Sequence, residues 1–203
     1  MPFHIRAAKA HDAQVVAPLI YSSGPKAFEF IFSNGQPGAC IDFLQDAFKG
    51  KQGLFSNRHH FVMESDNKVV AVIANFTHAS MANTQWSTAL HILKYMGLFK
   101  GLRSMVRGLV FEKKLVKAPL KDCFYIAHVG VSGEFRSQGI GERMIAFVQE
   151  QAKTQGFKKL ALDVSVINPR AQSLYERLNF KVMKENPSYR PELDHHRYME
   201  ACL

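Results

Sequence analysis

Apolar positions recur with two different periods along the chain, and the change of period separates predicted helices from predicted strands. Apolar residues at helical spacing predict helices near 12–21, 27–32, 39–49, 138–155 and 168–178. Short runs rich in β-branched and aromatic residues predict strands at 3–7, 61–64, 68–77, 124–131, 159–166, 180–183 and 196–202. Mixed elements of this kind predict an α/β fold, with a central sheet flanked by helices in a single domain over residues 1–203.

Residues 85–121 combine helical apolar spacing with an excess of positive charge. Eight lysines and arginines against one glutamate give this segment +7 of the net +9 of the chain. Gly97, Gly101 and Gly108 predict breaks in the helix. Two interpretations stay open: an amphipathic helical pair that packs on the body with its cations in water, or a surface for an acidic partner such as nucleic acid or anionic lipid.

Cysteine usage and the hydropathy profile limit the class of protein. Three widely spaced cysteines form neither a disulfide framework nor a zinc pattern, and the adjacent histidine pairs predict no metal site. The N-terminus lacks a secretory apolar stretch, and no run approaches the ~20 apolar residues of a membrane span. We therefore expect a cytoplasmic protein without a metal.

The most informative segment is an apolar strand, a turn and a glycine-containing helix start at 125–141. The N–H groups in the first turn of a helix lack internal partners and attract anions. Gly139 and Gly141 leave room for a phosphate, and Arg136 adds positive charge. Glycines that serve only close helix packing are the alternative. A Walker loop is excluded by the missing Gly-Lys-Ser/Thr, and Met144 occupies the third glycine position of a Rossmann loop.

Arg136-x-x-Gly139-x-Gly141 after an apolar strand resembles the signature of the GNAT acyltransferase superfamily. A second block, residues 162–180, is similar to another conserved part of that family, with an Asn opening a helix and an Ala-x-x-Leu-Tyr sequence following. Asn179 stands where the family usually has glycine, a position that asparagine tolerates. The resemblance implies a mixed, mostly antiparallel sheet that binds acyl-CoA, with 85–121 as a helical basic insertion.

The resemblance also assigns cofactor-binding residues for acetyl-CoA. Main-chain groups of Val129 and Val131 would pair with the pantetheine arm as an added strand would. Asn168 would bond the same arm, or act simply as a helix N-cap before Pro169, and the two roles are compatible. The pyrophosphate would lie on the N–H groups of Arg136, Ser137, Gln138, Gly139, Ile140 and Gly141.

Tyr175 is the expected general acid, since a phenol beside the cofactor sulfur can protonate the departing thiolate. A tyrosine that merely packs in the core is the alternative. The catalytic base stays open. Some family members place a glutamate where this chain has Tyr125, which is a poor base. His128, Glu29 and a water relay remain as candidates. Strand alternation predicts His128 on one face and, on the other, Tyr125, Ala127, Val129 and Val131.

These residues predict an N-acetyltransferase that moves the acetyl group of acetyl-CoA to a primary amine by direct attack. Cys123 has no partners typical of a nucleophilic thiol, which disfavours an acyl-enzyme. The alternative is a non-catalytic acyl-CoA-binding module or a nucleic-acid adaptor acting through the basic insertion. Acyl-CoA and an amine are the expected partners, and a homodimer, nucleic acid contact and anionic membrane contact through 85–121 stay open.

Overall fold

The computed structural model describes residues 3–33, 35–36, 38–116 and 119–203. These residues form seven strands and seven helices, apart from three short 3₁₀ turns. The strands are β1 (Phe3–Ala7), β2 (His60–Ser65), β3 (Lys68–Phe76), β4 (Cys123–Val131), β5 (Lys159–Ser165), β6 (Lys181–Asn186) and β7 (His196–Cys202). The helices are α1 (Ala13–Ser22), α2 (Pro25–Phe32), α3 (Ala39–Lys49), α4 (His78–Met96), α5 (Leu98–Leu115), α6 (Ile140–Thr154) and α7 (Pro169–Arg177).

All seven strands belong to one sheet, in the order β1-β2-β3-β4-β5-β7-β6. Neighbouring strands are antiparallel except β4 and β5, which are parallel. The β2–β3 hairpin turns at Asp66 and Asn67, which both adopt the left-handed conformation that this tight turn requires. The mixed, mostly antiparallel sheet predicted from the sequence is therefore confirmed.

Each face of the sheet carries its own apolar core, because strand side chains alternate between the faces. On one face, α6 and α7 contribute Met144, Val148 and Tyr175 against strand residues such as Met63 and Leu162. On the other face, α1, α2 and α3 pack an aromatic-rich cluster against Val62 and Val72, with the buried rings of Phe28, Phe32, Phe43, Phe48 and Phe55. The sheet is thus the middle layer of three.

The basic segment forms a helical hairpin, α4 and α5, that starts earlier than residue 85. Thr77 caps α4 by accepting from the Ser80 N–H at 3.0 Å, and Gly97 with φ 75° separates the two helices. The expected breaks at Gly101 and Gly108 are wrong, since both lie inside α5. At Gly101 a Cβ would come within 3.0 Å of the Leu93 Cα, so this glycine seats α5 on α4. Residues 117 and 118 of the segment lie outside the described residues.

The interpretation that the apolar side chains of the hairpin pack on the body of the protein is only partly correct. Leu98, Leu102, Val106 and Leu109 of α5 are each more than half exposed, as is Trp86 of α4. The buried residues of α5 are instead Gly101, Ser104, Phe111 and Leu115. The helical spacing in the sequence therefore identifies an apolar face of α5 correctly, but the larger side chains of that face are exposed to solvent.

Candidate active site

Strands β4 and β5 separate part-way along the sheet and leave a wedge between them. They pair only from Cys123–Tyr125 with Lys159–Ala161, beyond which β5 continues to pair with β7 alone. On its other edge β4 stays paired with β3, and the Ser132 N–H donates to the Val70 carbonyl at 2.8 Å. Because main-chain groups alternate between edges, those of Val129 and Val131 are directed into the wedge.

A β-bulge lies in β4 at His128, where the strand is open to the wedge. The register with β3 shifts between Val72 and Ala74, and His128 adopts the left-handed conformation with φ 55°. Side chains before and after the bulge consequently lie on opposite faces. The expected common face is wrong: Tyr125 and Ala127 pack with Tyr198, whereas Val129 and Val131 pack in the α6 core.

The bulge turns the His128 side chain towards α2 and a second histidine, His60 of β2. His60 Nε2 and His128 Nδ1 are 3.0 Å apart, and their rings are inclined by only 6°. His60 Nδ1 lies 2.8 Å from the Ser56 carbonyl oxygen, so this nitrogen must carry a proton and donate it. Neutral His60 then accepts at Nε2, and His128 donates from Nδ1. The remaining lone pair belongs to His128 Nε2.

Apolar surroundings keep both histidines neutral. The rings of Phe28, Phe55 and Phe76 lie 5.4–6.4 Å from the His128 ring, centroid to centroid. Burial, and more weakly the charge of His59, lowers the pKa of His128 to about 4. Burial also lowers the pKa of His60 well below its usual range. Within the described chain, no hydrogen-bond partner contacts His128 Nε2.

Tyr125 is held away from any role as a base. Its hydroxyl donates to Asp163 Oδ2 at 2.7 Å, across the start of the wedge. Burial, with a further contribution from the Asp163 charge, raises the pKa of Tyr125 well above its usual value. The Tyr125–Asp163 contact joins β4 to β5 just where the two strands begin to diverge.

The start of α6 presents main-chain N–H groups to solvent. Gly139, the N-cap, has φ 74° and no capping side chain, and residues 136–139 are exposed. Side chains around the turn bend back onto the chain: Arg136 Nε donates to the Val131 carbonyl at 3.2 Å and Gln138 Nε2 to the Glu134 carbonyl at 3.1 Å. The first-turn N–H groups are therefore open to an anion.

Helix α7 packs beside this turn and brings a cation that the sequence motif did not reveal. Arg170 Nη2 donates to Ser137 Oγ at 2.6 Å. A Cβ at Gly141 would lie 2.9 Å from Leu174 Cδ2, so Gly141 also permits the close approach of α6 and α7. Close packing therefore explains the glycine at 141. It does not explain the glycine at 139, where a Cβ would meet nothing within 4 Å and the space is open to an anion.

Asn168 and Tyr175 are carried by α7 itself. Asn168 is the N-cap, with its Oδ1 accepting from the Ala171 N–H at 3.1 Å, which leaves the amide nitrogen for another partner. Tyr175 is buried in the α6 core with its ring 5.8 Å from that of Phe180, and burial raises its pKa to about 12. The phenol therefore keeps its proton at neutral pH.

Glu29 lies on α2 but lines a different space from His128. It is exposed and accepts from the Tyr21 hydroxyl at 2.9 Å. It borders a cleft of about 780 Å³ between α2 and α5, which also contains Lys100, Arg103 and Arg107. His128 is absent from the lining of that cleft, so the structure does not bring the two candidate bases into one cavity.

The family of the chain follows from comparison with known sequences. The model of the acetyltransferase (GNAT) family matches residues 38–180, which include the wedge, the α6 turn and α7. The chain belongs to this family. The resemblance predicted from the two sequence blocks is thereby confirmed.

Curated relatives of this GNAT chain match only segments of it. N-acetyltransferase family 8 member 3 of Mus musculus is 28% identical over 113 residues, which cover 54% of this chain and 48% of that protein. N-acetyltransferase 8B of Homo sapiens is 39% identical over 54 residues, covering 27% of this chain and 24% of that protein. The matched part thus spans about half, or less, of these relatives.

Solved structures share the GNAT fold over nearly the whole chain. An N-acetyltransferase from Staphylococcus aureus Mu50 superposes with a TM-score of 0.73 at 17% identity, covering 98% of this chain and 100% of that one. The PaiA N-acetyltransferase from Thermoplasma acidophilum, solved in complex with coenzyme A, has a TM-score of 0.58 at 11% identity with both chains fully covered. At such identities the likeness shows the fold.

The cysteine closest to the wedge of this GNAT chain is chemically inert. Cys123 is fully buried at the start of β4, and burial raises the pKa of its thiol to about 11. A thiol that stays protonated is a weak nucleophile. Among the described residues, no group of three histidine, cysteine or acidic side chains is arranged to hold a metal.

Proposed function

We propose that this chain is an N-acetyltransferase that transfers the acetyl group of acetyl-CoA to a primary amine by direct attack. The observation that carries the proposal is the exposed, uncapped first turn of α6 beside the open β4–β5 wedge. An elongated ligand with a diphosphate at one end and an amide-containing arm at the other matches both features. Cytoplasmic location remains a prediction from the cysteines.

Acetyl-CoA would be held mainly by the main chain. Its diphosphate would accept from the N–H groups of 137–141, since the Arg136 N–H already donates to the Gly133 carbonyl at 3.3 Å; Arg136 and Arg170 would supply positive charge. The pantetheine arm would pair with Val129 and Val131 in the wedge, and the amide nitrogen of Asn168 is available to donate to the same arm. This arrangement would place the thioester between β4 and α7.

Tyr175 would act as the general acid in this mechanism. When the amine attacks the thioester carbonyl, the carbon–sulfur bond breaks and the sulfur becomes a thiolate. A phenol whose pKa is raised by burial remains a hydrogen-bond donor throughout the pH range of activity. Tyr175 would therefore stabilise and protonate the leaving group.

His128 is the base that the geometry favours. The hydrogen-bond chain from Ser56 through His60 leaves the lone pair of His128 at Nε2. A free amine with a pKa near ~10 is mostly protonated at neutral pH, so the neutral fraction attacks. Its nitrogen becomes positively charged and more acidic as the new bond forms, and His128 Nε2 takes the proton at that stage. Because burial lowers its pKa to about 4, His128 is unprotonated at neutral pH and can accept this proton.

Two experiments test the proposal. Thiol release from acetyl-CoA, measured across a panel of primary amines, amino acids, polyamines and N-terminal peptides, should identify an acceptor. In calorimetry, Gln138→Glu combined with Gly139→Glu should abolish coenzyme A binding, whereas Gln155→Glu at the other end of α6 should not. Unchanged affinity in the double variant would contradict the phosphate cradle.

The alternative function, a non-catalytic acyl-CoA-binding module, gives a different result in the same experiments. Such a module would bind coenzyme A and lose it in the double variant, yet release no thiol with any amine. A nucleic-acid adaptor would instead bind nucleic acid with a steep dependence of affinity on salt. The match of residues 38–180 to the acetyltransferase family favours the enzyme.

A further inference from the structure

The outward side of the α4–α5 hairpin is unusually apolar. Of the thirteen large apolar side chains that are exposed among the described residues, eight lie on these two helices. We use the term outer face for seven of them: Trp86, Leu90, Leu98, Phe99, Leu102, Val106 and Leu109. Nothing in the proposed acetyl transfer requires such a surface.

The outer face is a continuous stripe along α5. Leu98, Leu102, Val106 and Leu109 recur at helical spacing and are 54–67% exposed, and Phe99 beside them is 88% exposed. On α4, Trp86 and Leu90 are one turn apart and are 74% and 50% exposed. At the rise of an α-helix, the α5 stripe is about 16 Å long.

Over residues 98–109 the orientation of α5 is the reverse of that of an ordinary surface helix, and its buried large side chains, Phe111 and Leu115, come only near its C-terminal end. Glycine and serine, at Gly101 and Ser104, face the protein, and leucines and valine face water. A surface helix of a globular domain normally buries its large apolar side chains. The outward position of these side chains therefore indicates a surface that is covered by something other than this chain.

Positive charge borders the outer face. Lys94 and Lys113, one turn beyond Leu90 and Leu109, are exposed and form no ion pair within the described part of the chain. Lys100 and Arg103 add positive charge on the side of α5 that lines the cleft with α2. Glu112 is the only acidic residue between positions 85 and 121. The partner that complements this surface is consequently apolar in the middle and negatively charged around it.

We propose that the outer face of the α4–α5 hairpin lies on an anionic lipid surface. The apolar stripe would enter the boundary between headgroups and acyl chains, and the bordering cations would contact lipid phosphates, as in interfacial amphipathic helices. A second copy of this chain fits less well, because pairing two such faces would bring like charges together. Nucleic acid would leave the leucines and Phe99 in water.

The chain would lie on the membrane and not cross it through these elements, because none of the described helices is long and apolar enough for a span. The test is co-sedimentation of the full chain with vesicles of phosphatidylcholine alone or with added phosphatidylglycerol. We expect binding to the anionic vesicles and none to the neutral ones.

Paired variants separate the apolar contribution from the charged one. Phe99→Ser with Leu102→Ser should weaken binding at least about tenfold through lost apolar burial. Lys94→Gln with Lys113→Gln should weaken it about 30-fold, at ~1 kcal/mol per cation. Val182→Ser with Met183→Ser, which removes two exposed apolar side chains from β6, should leave binding unchanged.

Three results would overturn the proposal. The first is no binding to anionic vesicles. The second is undiminished binding by the Phe99–Leu102 variant, which would mean that charge alone is responsible. The third is a concentration-dependent dimer in ultracentrifugation that this variant dissolves, which would assign the outer face to a second copy of the chain.

Discussion

Replacement of His60 tests the tautomer argument most directly. His60→Phe keeps a ring in contact with Phe48 but removes the acceptor for His128 Nδ1 and the donor to the Ser56 carbonyl. Without an acceptor, Nδ1 no longer has a reason to hold the proton, and part of the His128 population shifts its proton to Nε2. In that form His128 cannot serve as the base.

The expected loss has a catalytic part and a structural part. General-base catalysis is worth ~10²–10⁴ in rate, and because some molecules keep a free Nε2, we expect kcat to fall about 10–100-fold. The Ser56 carbonyl and the His128 N–H also lose their hydrogen-bond partners, and each loss should lower the free energy of unfolding by ~1–3 kcal/mol. For a domain of this size each kcal/mol lowers Tm by roughly 2–4 °C.

His60→Gln is the matched control. Its amide nitrogen can donate to Ser56 and its oxygen can accept from His128, so activity should largely recover. Thiol release would give kcat and KM, with KM for acetyl-CoA unchanged in both variants, and ¹⁵N NMR of the ring nitrogens would report the His128 tautomer. The reasoning fails if His128 carries its proton at Nε2 in the unaltered protein, or if His60→Phe lowers Tm but not kcat.

The remaining predictions concern the acid, the cradle and pH. Tyr175→Phe should lower kcat while leaving the Kd for acetyl-CoA nearly unchanged; equal turnover would remove Tyr175 from the mechanism. Arg170→Gln should weaken coenzyme A binding several-fold in calorimetry, because it removes a cation beside Ser137, whereas Arg177→Gln at the far end of α7 should not. As pH falls from 6.5 towards 4, His128 binds a proton in the unfolded chain but stays neutral in the folded one, so the free energy of unfolding should drop by on the order of 3 kcal/mol. In the variant His128→Asn, asparagine tolerates the left-handed conformation, and the free energy of unfolding should depend less on pH, as measured by denaturant titrations at several pH values.

Local sequence patterns were sufficient to predict the strands of the sheet and the turn at the start of α6. Gly139 and Arg136 stand within one short stretch, and their chemistry depends on the conformation of that stretch alone. The same holds for Asn168, whose capping role before Pro169 is visible in the sequence. Contacts between residues that are close in the sequence can therefore be predicted from short motifs.

The surroundings of His128 could not be predicted in the same way. Its partner His60 is 68 positions away, and the bulge arises from the register between β4 and β3. No short motif encodes a left-handed histidine in an apolar strand. Helix α5 shows a related difficulty, because periodicity defines an apolar stripe but not whether the stripe meets the body or the solvent.

The seating of α5 also has a consequence for local motion. Among the described residues 98–109, its inner side buries only the small residues Gly101 and Ser104, and the large buried side chains Phe111 and Leu115 follow near the C-terminal end. Little apolar area would be exposed if residues 98–109 lifted away while Phe111 and Leu115 stayed packed against Leu193, so the free energy of that local opening should be small. In hydrogen exchange, amides of residues 98–109 should therefore become deuterated well before those of β3 and β4, and this part of the hairpin would be the first to rearrange when its environment changes.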